Sequence, residues 1–342
     1  MDADETAFRL AIQRGSLDEI DRGIASGMSP DTQFHTDGET ALSVAVANGR
    51  FESVKRLLDA GADTELASRR GTALEIAVSI NRVDMARALL EAGADRNGAE
   101  NGTSPVVTAA IAGDHETIRV LTTGIDPSNL RGLAEALYFA AQRNATEIVT
   151  LLLELGADPE SHHDPYKGTP LIIAAGNGHL ESARLLLDAG AEVDAPAEQG
   201  ATALGVAINN NYGDIVRLLV ERGANVNRRG PDGTTPAMRA RSPEVLRTLV
   251  EAGADPNARD DEGRTALLRI PFYPGGQGYS GSRYRKPPTP NPLGAVQFLL
   301  SAGVDVNAED QDGKTVLDRA VAEGHDEIAN ALRAAGGRDS KP

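Results

Sequence analysis

A glycine that returns every thirty-odd residues constrains this chain more than any other feature. "LLDAGAD" closes a segment at Gly61, and relatives recur at Gly93, Gly124, Gly156, Gly190, Gly223, Gly253 and Gly303. Counted from Gly27, the steps are 34, 32, 31, 32, 34, 33, 30 and 50 residues, and a final 33 reaches Gly336. A period held this long is the mark of stacked supersecondary units, each burying its apolar face against its neighbours. A chain of 342 residues is longer than a single hydrophobic core supports, and stacking removes that limit.

The segment Gly168 to Ala195, "GTPLIIAAGNGHLESARLLLDAGAEVDA", shows how one unit is built. Thr169 caps a short helix with Pro170 at its first position, Ala174 and Ala175 keep one face thin, and "GNG" stops it. Leu180, Ala183, Leu186 and Leu187 then form the apolar stripe of a second helix. The following "AEVDAPAEQGAT" has turn residues at both ends of an extended piece, predicting a β-turn finger that leads into the next unit.

These segments resemble the ankyrin-repeat family. Its Thr-Pro-Leu-His signature is matched in part by "TALS" at Thr40, "TALE" at Thr72, "TPLI" at Thr169, "TALG" at Thr202, "TALL" at Thr265 and "TVLD" at Thr315. The resemblance runs from about Asp4 to Gly337 as roughly ten units and implies an all-α solenoid of helix pairs with short β-turn fingers. It is expected to be a single solenoid over residues 1–342, with capping repeats at 1–33 and 311–342 and an inter-helix insertion at 271–290. The family's His is missing from every unit, which predicts fewer side-chain bonds between finger and helix. "NLRGLAEALYFAAQRN", Asn129 to Asn144, lacks the Thr-Pro start and is expected to be locally soft.

Composition removes several function classes. There is no Cys, so thiolate catalysis, disulfides and Cys-ligated zinc are excluded. No apolar run approaches the ~20 residues that span a bilayer, and "MDADETAFRL" lacks the features of a signal peptide, so a cytoplasmic monomer is expected. Asp and Glu number 50 against 34 Lys and Arg, a formal net charge of -16, which disfavours nucleic acid and anionic membrane as partners.

Several conspicuous residues read as scaffold. Asn81, Asn144 and Asn211 fall where other units place Gly15, Gly49, Gly113, Gly178 and Gly324, after the first helix, where a left-handed residue is needed. Asp63, Asp95, Asp158, Asp255 and Asp305 follow the closing glycine and are expected to accept backbone donors in the next turn. His162, His163 and Asp164 are too close in sequence to converge on one metal ion, and no partner His stands at helical spacing. "GQGYSG", Gly276 to Gly281, matches a dinucleotide-binding pattern, yet no strand precedes it and the prolines after it forbid a helix. No cofactor, no metal and no enzymatic activity are therefore expected.

The 50-residue step holds an insertion. Thr265 to Gly303 spans 38 residues against 21 for Thr202 to Gly223, so 17 are extra. Pro271 ends the first helix, and Asn291 with Pro292 restarts the chain. Tyr273, Tyr279 and Tyr284 lie here, with Arg283, Arg285 and Lys286 and no acid; Tyr and Arg are the residue types that dominate binding hot spots. The preceding unit, "TPAMRARSPEVLRTLV", has a shortened turn restarted at Ser242-Pro243.

The resulting expectation is a non-catalytic scaffold that binds a partner protein. Its contacts are expected on the insertion (Tyr273, Tyr279, Arg283, Tyr284, Arg285 and Lys286), on the first helices (Glu75, Tyr138, Arg143 and Met238) and at Tyr166 on a finger. The acidic surface suits a basic client, such as a nuclease-like toxin neutralised by a bacterial immunity protein. The alternative is a small-molecule-binding or catalytic protein in which the insertion acts as a lid.

Overall fold

A computed structural model of the chain describes residues 3–34, 38–100, 102–162, 168–197, 200–270 and 291–340. They form two compact units, Met1–Asp158 and Pro159–Pro342, where the repeat spacing predicts one run. Among the described residues each unit holds five helix pairs. Repeats 1 to 5 are Ala3–Arg14 with Leu17–Ala25, Ala41–Ala47 with Phe51–Asp59, Ala73–Ser79 with Val83–Glu91, Pro105–Ala112 with His115–Thr122, and Leu133–Arg143 with Thr146–Glu154. Repeats 6 to 10 are Pro170–Asn177 with Leu180–Asp188, Ala203–Asn209 with Gly213–Glu221, Pro236–Arg239 with Pro243–Glu251, Ala266–Arg269 with Pro292–Ser301, and Val316–Ala322 with Asp326–Ala334.

Six of the first helices start at a threonine side-chain cap. Thr40, Thr72, Thr169, Thr202, Thr265 and Thr315 each accept the backbone N–H three residues on, satisfying a donor that the helix itself leaves orphaned. The first helices then bury Ala and Val or Leu, such as Ala45, Val46, Ala77, Val78, Ala174 and Ala175, and the second helices press Val54, Leu57, Met85, Leu89, Ala183 and Leu186 against them. Small residues let the two helices of a pair approach closely, and burial of each large aliphatic chain contributes about 2 kcal/mol.

The turn between helices bears out the asparagine reading. Asn81, Asn144 and Asn211 have φ of 58°, 57° and 58° and, among the described residues, are the non-glycine residues in the left-handed region. At the same place Gly178 has φ +79°, and a Cβ there would sit 2.8 Å from the Tyr212 ring.

The fingers carry a regular cross-link. Two residues after the closing glycine, Asp63, Asp95, Asp255 and Asp305 each accept the N–H two residues further on. Four residues after that glycine, an acid or Asn reaches into the next repeat. In the first unit Asp31 takes the Asp63 N–H at 2.7 Å and Glu65 the Asp95 N–H at 2.9 Å. In the second, Glu160 takes Glu192, Asn227 takes Asp255, Asn257 takes Asp305 and Asn307 takes Arg338, at 2.8 to 2.9 Å. Part of the chain's acidity is thus structural.

The missing family His is partly replaced. Ser43 closes a capping box with Thr40. Glu75 accepts the Thr72 N–H with one carboxylate oxygen and the Ala99 N–H of the following finger with the other. Asp318 does the same with Thr315 and Ser340. Ile172, Gly205 and Leu268 bring no such bond from their side chains, so the expected loss holds in those repeats.

Repeats 8 and 9 are cut short. Their first helices have four residues each, against seven or eight in repeats 6, 7 and 10. Pro236–Arg239 gives way to Ala240 and Arg241 before Ser242 caps the next helix by accepting the Val245 N–H. Ala266–Arg269 stops before Pro271, and Asn291 caps the partner helix through the Gly294 N–H.

Candidate partner-binding surface

The residues expected to meet a partner divide sharply. Tyr138 is 1% exposed. Its helix is capped at Gly132, which puts Tyr138 at the sixth helical position, held in regular repeats by the buried Val46, Val78 and Ile208. Without a Thr start the register of that helix is hard to read, and an inward residue looked outward. Met238 is likewise buried and accepts the Thr235 N–H on its sulfur at 3.4 Å. The carboxylate of Glu75 is occupied by the two backbone bonds above. Arg143, in the last turn of its helix, is exposed. Tyr166, Tyr273, Tyr279, Arg283, Tyr284, Arg285 and Lys286 lie outside the described residues.

Arginine has a task that reading from the sequence missed. Arg131 donates to the carbonyls of Asn97, Ala99 and Glu100 at 2.9, 2.8 and 2.5 Å, and its N–H bonds Asn97 Oδ1 at 2.7 Å. Arg96 holds the Val120 and Leu121 carbonyls at the end of a second helix. In the second unit Arg229 reaches the Arg259 carbonyl and Arg259 that of Glu309, stitching three fingertips together. A guanidinium offers five donors in a fixed fork and an ammonium only three on a flexible stem, which gives a physical reason for 29 Arg against five Lys.

A second pattern appears when first helices are aligned on their caps. The fourth helical position holds Val44, Ile76, Ile173 and Val206 in repeats 2, 3, 6 and 7, and Arg239, Arg269 and Arg319 in repeats 8, 9 and 10. Arg319 bonds the carbonyls of Leu268 and Ile270, where the short helix of repeat 9 ends. Arg269 bonds Asp260, whose side chain is fully buried and is also bonded by Arg264. Burial pushes the Asp260 carboxyl up, but the Arg264 N–H and the two guanidiniums outweigh it and hold it below the usual carboxylate range. Arg239 places both Nε and Nη2 on Thr234 Oγ1, at 3.1 and 2.9 Å.

In the first unit, Ala94–Asn97, Ile125, Asp126 and Asn129 line a hollow of about 350 Å³ between two fingers. Among the described residues no group of three His, Asp or Glu is placed to hold a metal ion, and no helix is long and apolar enough to cross a membrane.

Sequence and structure comparisons converge on these repeats. A family model described as "Ankyrin repeats (3 copies)" matches residues 137–230 and 194–260, and one described as "Ankyrin repeat" matches 37–69 and 71–100. The chain belongs to the ankyrin-repeat family. Solved ankyrin domains agree: that of Bcl-3, a member of the IkappaB family, is 31% identical with a TM-score of 0.57, covering 63% of this chain and 99% of that one. Human ASB11 gives 28% and 0.52 over 64% and 100%, and a domain from Acinetobacter baumannii AYE gives 28% and 0.50 over 59% and 98%. Among curated proteins, a glycerophosphocholine phosphodiesterase of Schizosaccharomyces pombe is 32% identical over 29% of this chain, and a putative ankyrin repeat protein of Fowlpox virus 28% over 54%. The matches span 9% and 35% of those two proteins.

Proposed function

We propose that this ankyrin-repeat protein is a non-catalytic scaffold that holds a partner protein against its first helices and fingers, with the Tyr- and Arg-rich insertion adding contacts. The observation that carries the reading is the repeat architecture, in which each repeat spends its apolar residues on its neighbours and leaves fingers and first-helix edges for other contacts. The contacts assigned are Arg143, Tyr166 and the insertion residues Tyr273, Tyr279, Arg283, Tyr284, Arg285 and Lys286. The first unit carries 25 acids against 14 Lys and Arg, which fits a basic surface on the partner, as a bacterial immunity protein presents to a nuclease-like toxin. Opposite charge speeds encounter and screens out unsuitable partners.

The test is capture from native lysate with identification by mass spectrometry, using the full chain and a variant in which Tyr273–Thr289 is replaced by a regular-length turn. The scaffold reading expects the same partner to be retained by the full chain and released by the variant. Helicity should be unchanged, and stability shifted by no more than about 1 kcal/mol, the scale of loop-closure entropy. Equal retention by both chains removes the insertion from the site and leaves Arg143 and its neighbours; capture of no protein by either removes the scaffold reading.

A further inference from the structure

Charge is unevenly spread along the chain. Residues 201–300 carry 13 Lys and Arg against 9 Asp and Glu, whereas the remaining residues carry 21 against 41. Most arginines of that stretch are committed to backbone carbonyls or to paired carboxylates. Arg239 is not, and Arg269 commits its Nη1 alone, to Asp260. Asp232 stands between them, half-exposed, with Arg239 Nη2 3.6 Å from one of its oxygens and Arg269 Nη2 3.9 Å from the other. Both separations exceed a charge-assisted hydrogen bond, which a guanidinium makes to a carboxylate at about 2.7–2.9 Å and preferably as a bidentate pair. Asp232 instead accepts the Thr234 hydroxyl at 2.5 Å, and Arg239 spends two donors on that single hydroxyl oxygen. Two guanidiniums thus flank a carboxylate that makes a close hydrogen bond to neither.

The spacing of the pair follows from the repeat. Arg239 and Arg269 occupy the same position on the first helices of consecutive repeats, and packed helices lie about 8–10 Å apart. A chain in the extended polyproline II form advances about 3.1 Å per residue with about three residues per turn, so its first and fourth residues point the same way and span that step. Where repeats 6 and 7 present Ile173 and Val206, repeats 8 and 9 present cations with donors to spare.

We propose that Arg239 and Arg269 form a docking site for an extended acidic peptide, taking carboxylates at residues i and i+3, and that Asp232 is the internal occupant such a ligand displaces. This rests on the scaffold reading and supplies the chemistry of one contact: an acidic segment of the partner on the second unit.

The experiment uses the full chain and a fluorescently labelled peptide of four Glu-Gly-Ser triplets, followed by anisotropy at low ionic strength. The comparison peptides are the Gln-Gly-Ser analogue and one with the same four Glu placed in adjacent pairs. The Glu-Gly-Ser peptide is expected to bind at least tenfold tighter than the Gln analogue and several-fold tighter than the paired-Glu peptide. Arg239→Gln should weaken it about tenfold. Asp232→Asn should tighten it several-fold, a gain that misfolding does not produce. Arg269→Lys, which keeps a cation beside Asp260, should weaken it, and Arg241→Gln, at an exposed arginine with no partner among the described residues, should change nothing. Equal binding of the Glu and Gln peptides, or indifference to both Arg239→Gln and Asp232→Asn, overturns the proposal, as does preference for a phosphopeptide or RNA over the acidic peptide. A chain that binds the peptide through Arg239 yet captures no protein from lysate separates the two readings: the scaffold falls and the acidic-ligand site stands.

Discussion

Repeat 5 and the pair of repeats 8 and 9 depart from the ankyrin pattern in opposite ways. Repeat 5 has lost its Thr cap: its first helix begins at Gly132, in the left-handed region, with no side-chain bond at its N-terminus. The helix nevertheless runs for 11 residues, because Arg131 just before it is bound to the preceding finger by its main-chain N–H and its guanidinium. Repeats 8 and 9 keep Thr235 and Thr265 and yet have first helices of four residues. Repeat 9 is held at its far end by Arg319, and through Arg269 by the buried Asp260. A cap on the helix itself is therefore replaceable, provided a neighbouring repeat supplies the donors.

The comparison predicts where damage is greatest. Asp260→Ala should cost about 3 kcal/mol, the low end for breaking a buried ion pair, because Arg264 and Arg269 retain Glu262 and Asp232 as second partners. Urea unfolding with local hydrogen exchange in residues 260–269 reads it. The carboxyl is held below its ordinary value of 3.8, so its contribution is complete above that pH and is lost as pH falls through the lower folded value. Asp260→Asn should accordingly flatten the acid limb of the stability curve.

On the other side of the comparison, Gly132→Ala should cost about 2 kcal/mol. A left-handed φ of +89° penalises a side chain, and the added Cβ would lie 2.8 Å from Val107 Cγ2. A shift well below 1 kcal/mol in equilibrium unfolding would show that repeat 5 does not depend on its glycine start.

Arg131→Lys keeps the charge but not the fork, and an expected loss of about 1–2 kcal/mol should appear as faster amide exchange in Asn97–Gly102. If lysine serves equally well, the clamp is only electrostatic. Smallest of the four, Thr265→Ala should cost about 1 kcal/mol by thermal melting, and a larger loss there than for Thr202→Ala would show that a four-residue helix leans on its cap more than a seven-residue one.

Much of this was legible in the sequence for a physical reason: caps, left-handed turns and closing glycines are local requirements, each met by one or two residue types. Thr169, Asn211, Asn291 and the helix end at Arg269 fall where local rules place them. Side-chain direction was legible only where the cap fixed the register, so Tyr138 was misread. The long-range bonds of Arg131, Arg259 and Arg319 join residues 29 to 51 positions apart, and guanidinium-to-carbonyl contacts impose no identity on the accepting residue. The arginine at the fourth helical position was readable once repeats were aligned on Thr, but only beside the Val and Ile that hold it elsewhere.

The finger cross-links also have a mechanical consequence. In the second unit each repeat is joined to the next at one edge by a side chain spanning the same two positions, as Asn257 spans to Asp305, so a steady pull on the C-terminus loads these joints one after another instead of all at once. Repeats should peel off singly and give a sawtooth of force, each tooth releasing about 110 Å of chain for a 33-residue repeat at roughly 3.4 Å per residue. The 50 residues from Gly253 to Gly303 make repeat 9 the exception, with a tooth about half as long again that marks its place in the trace.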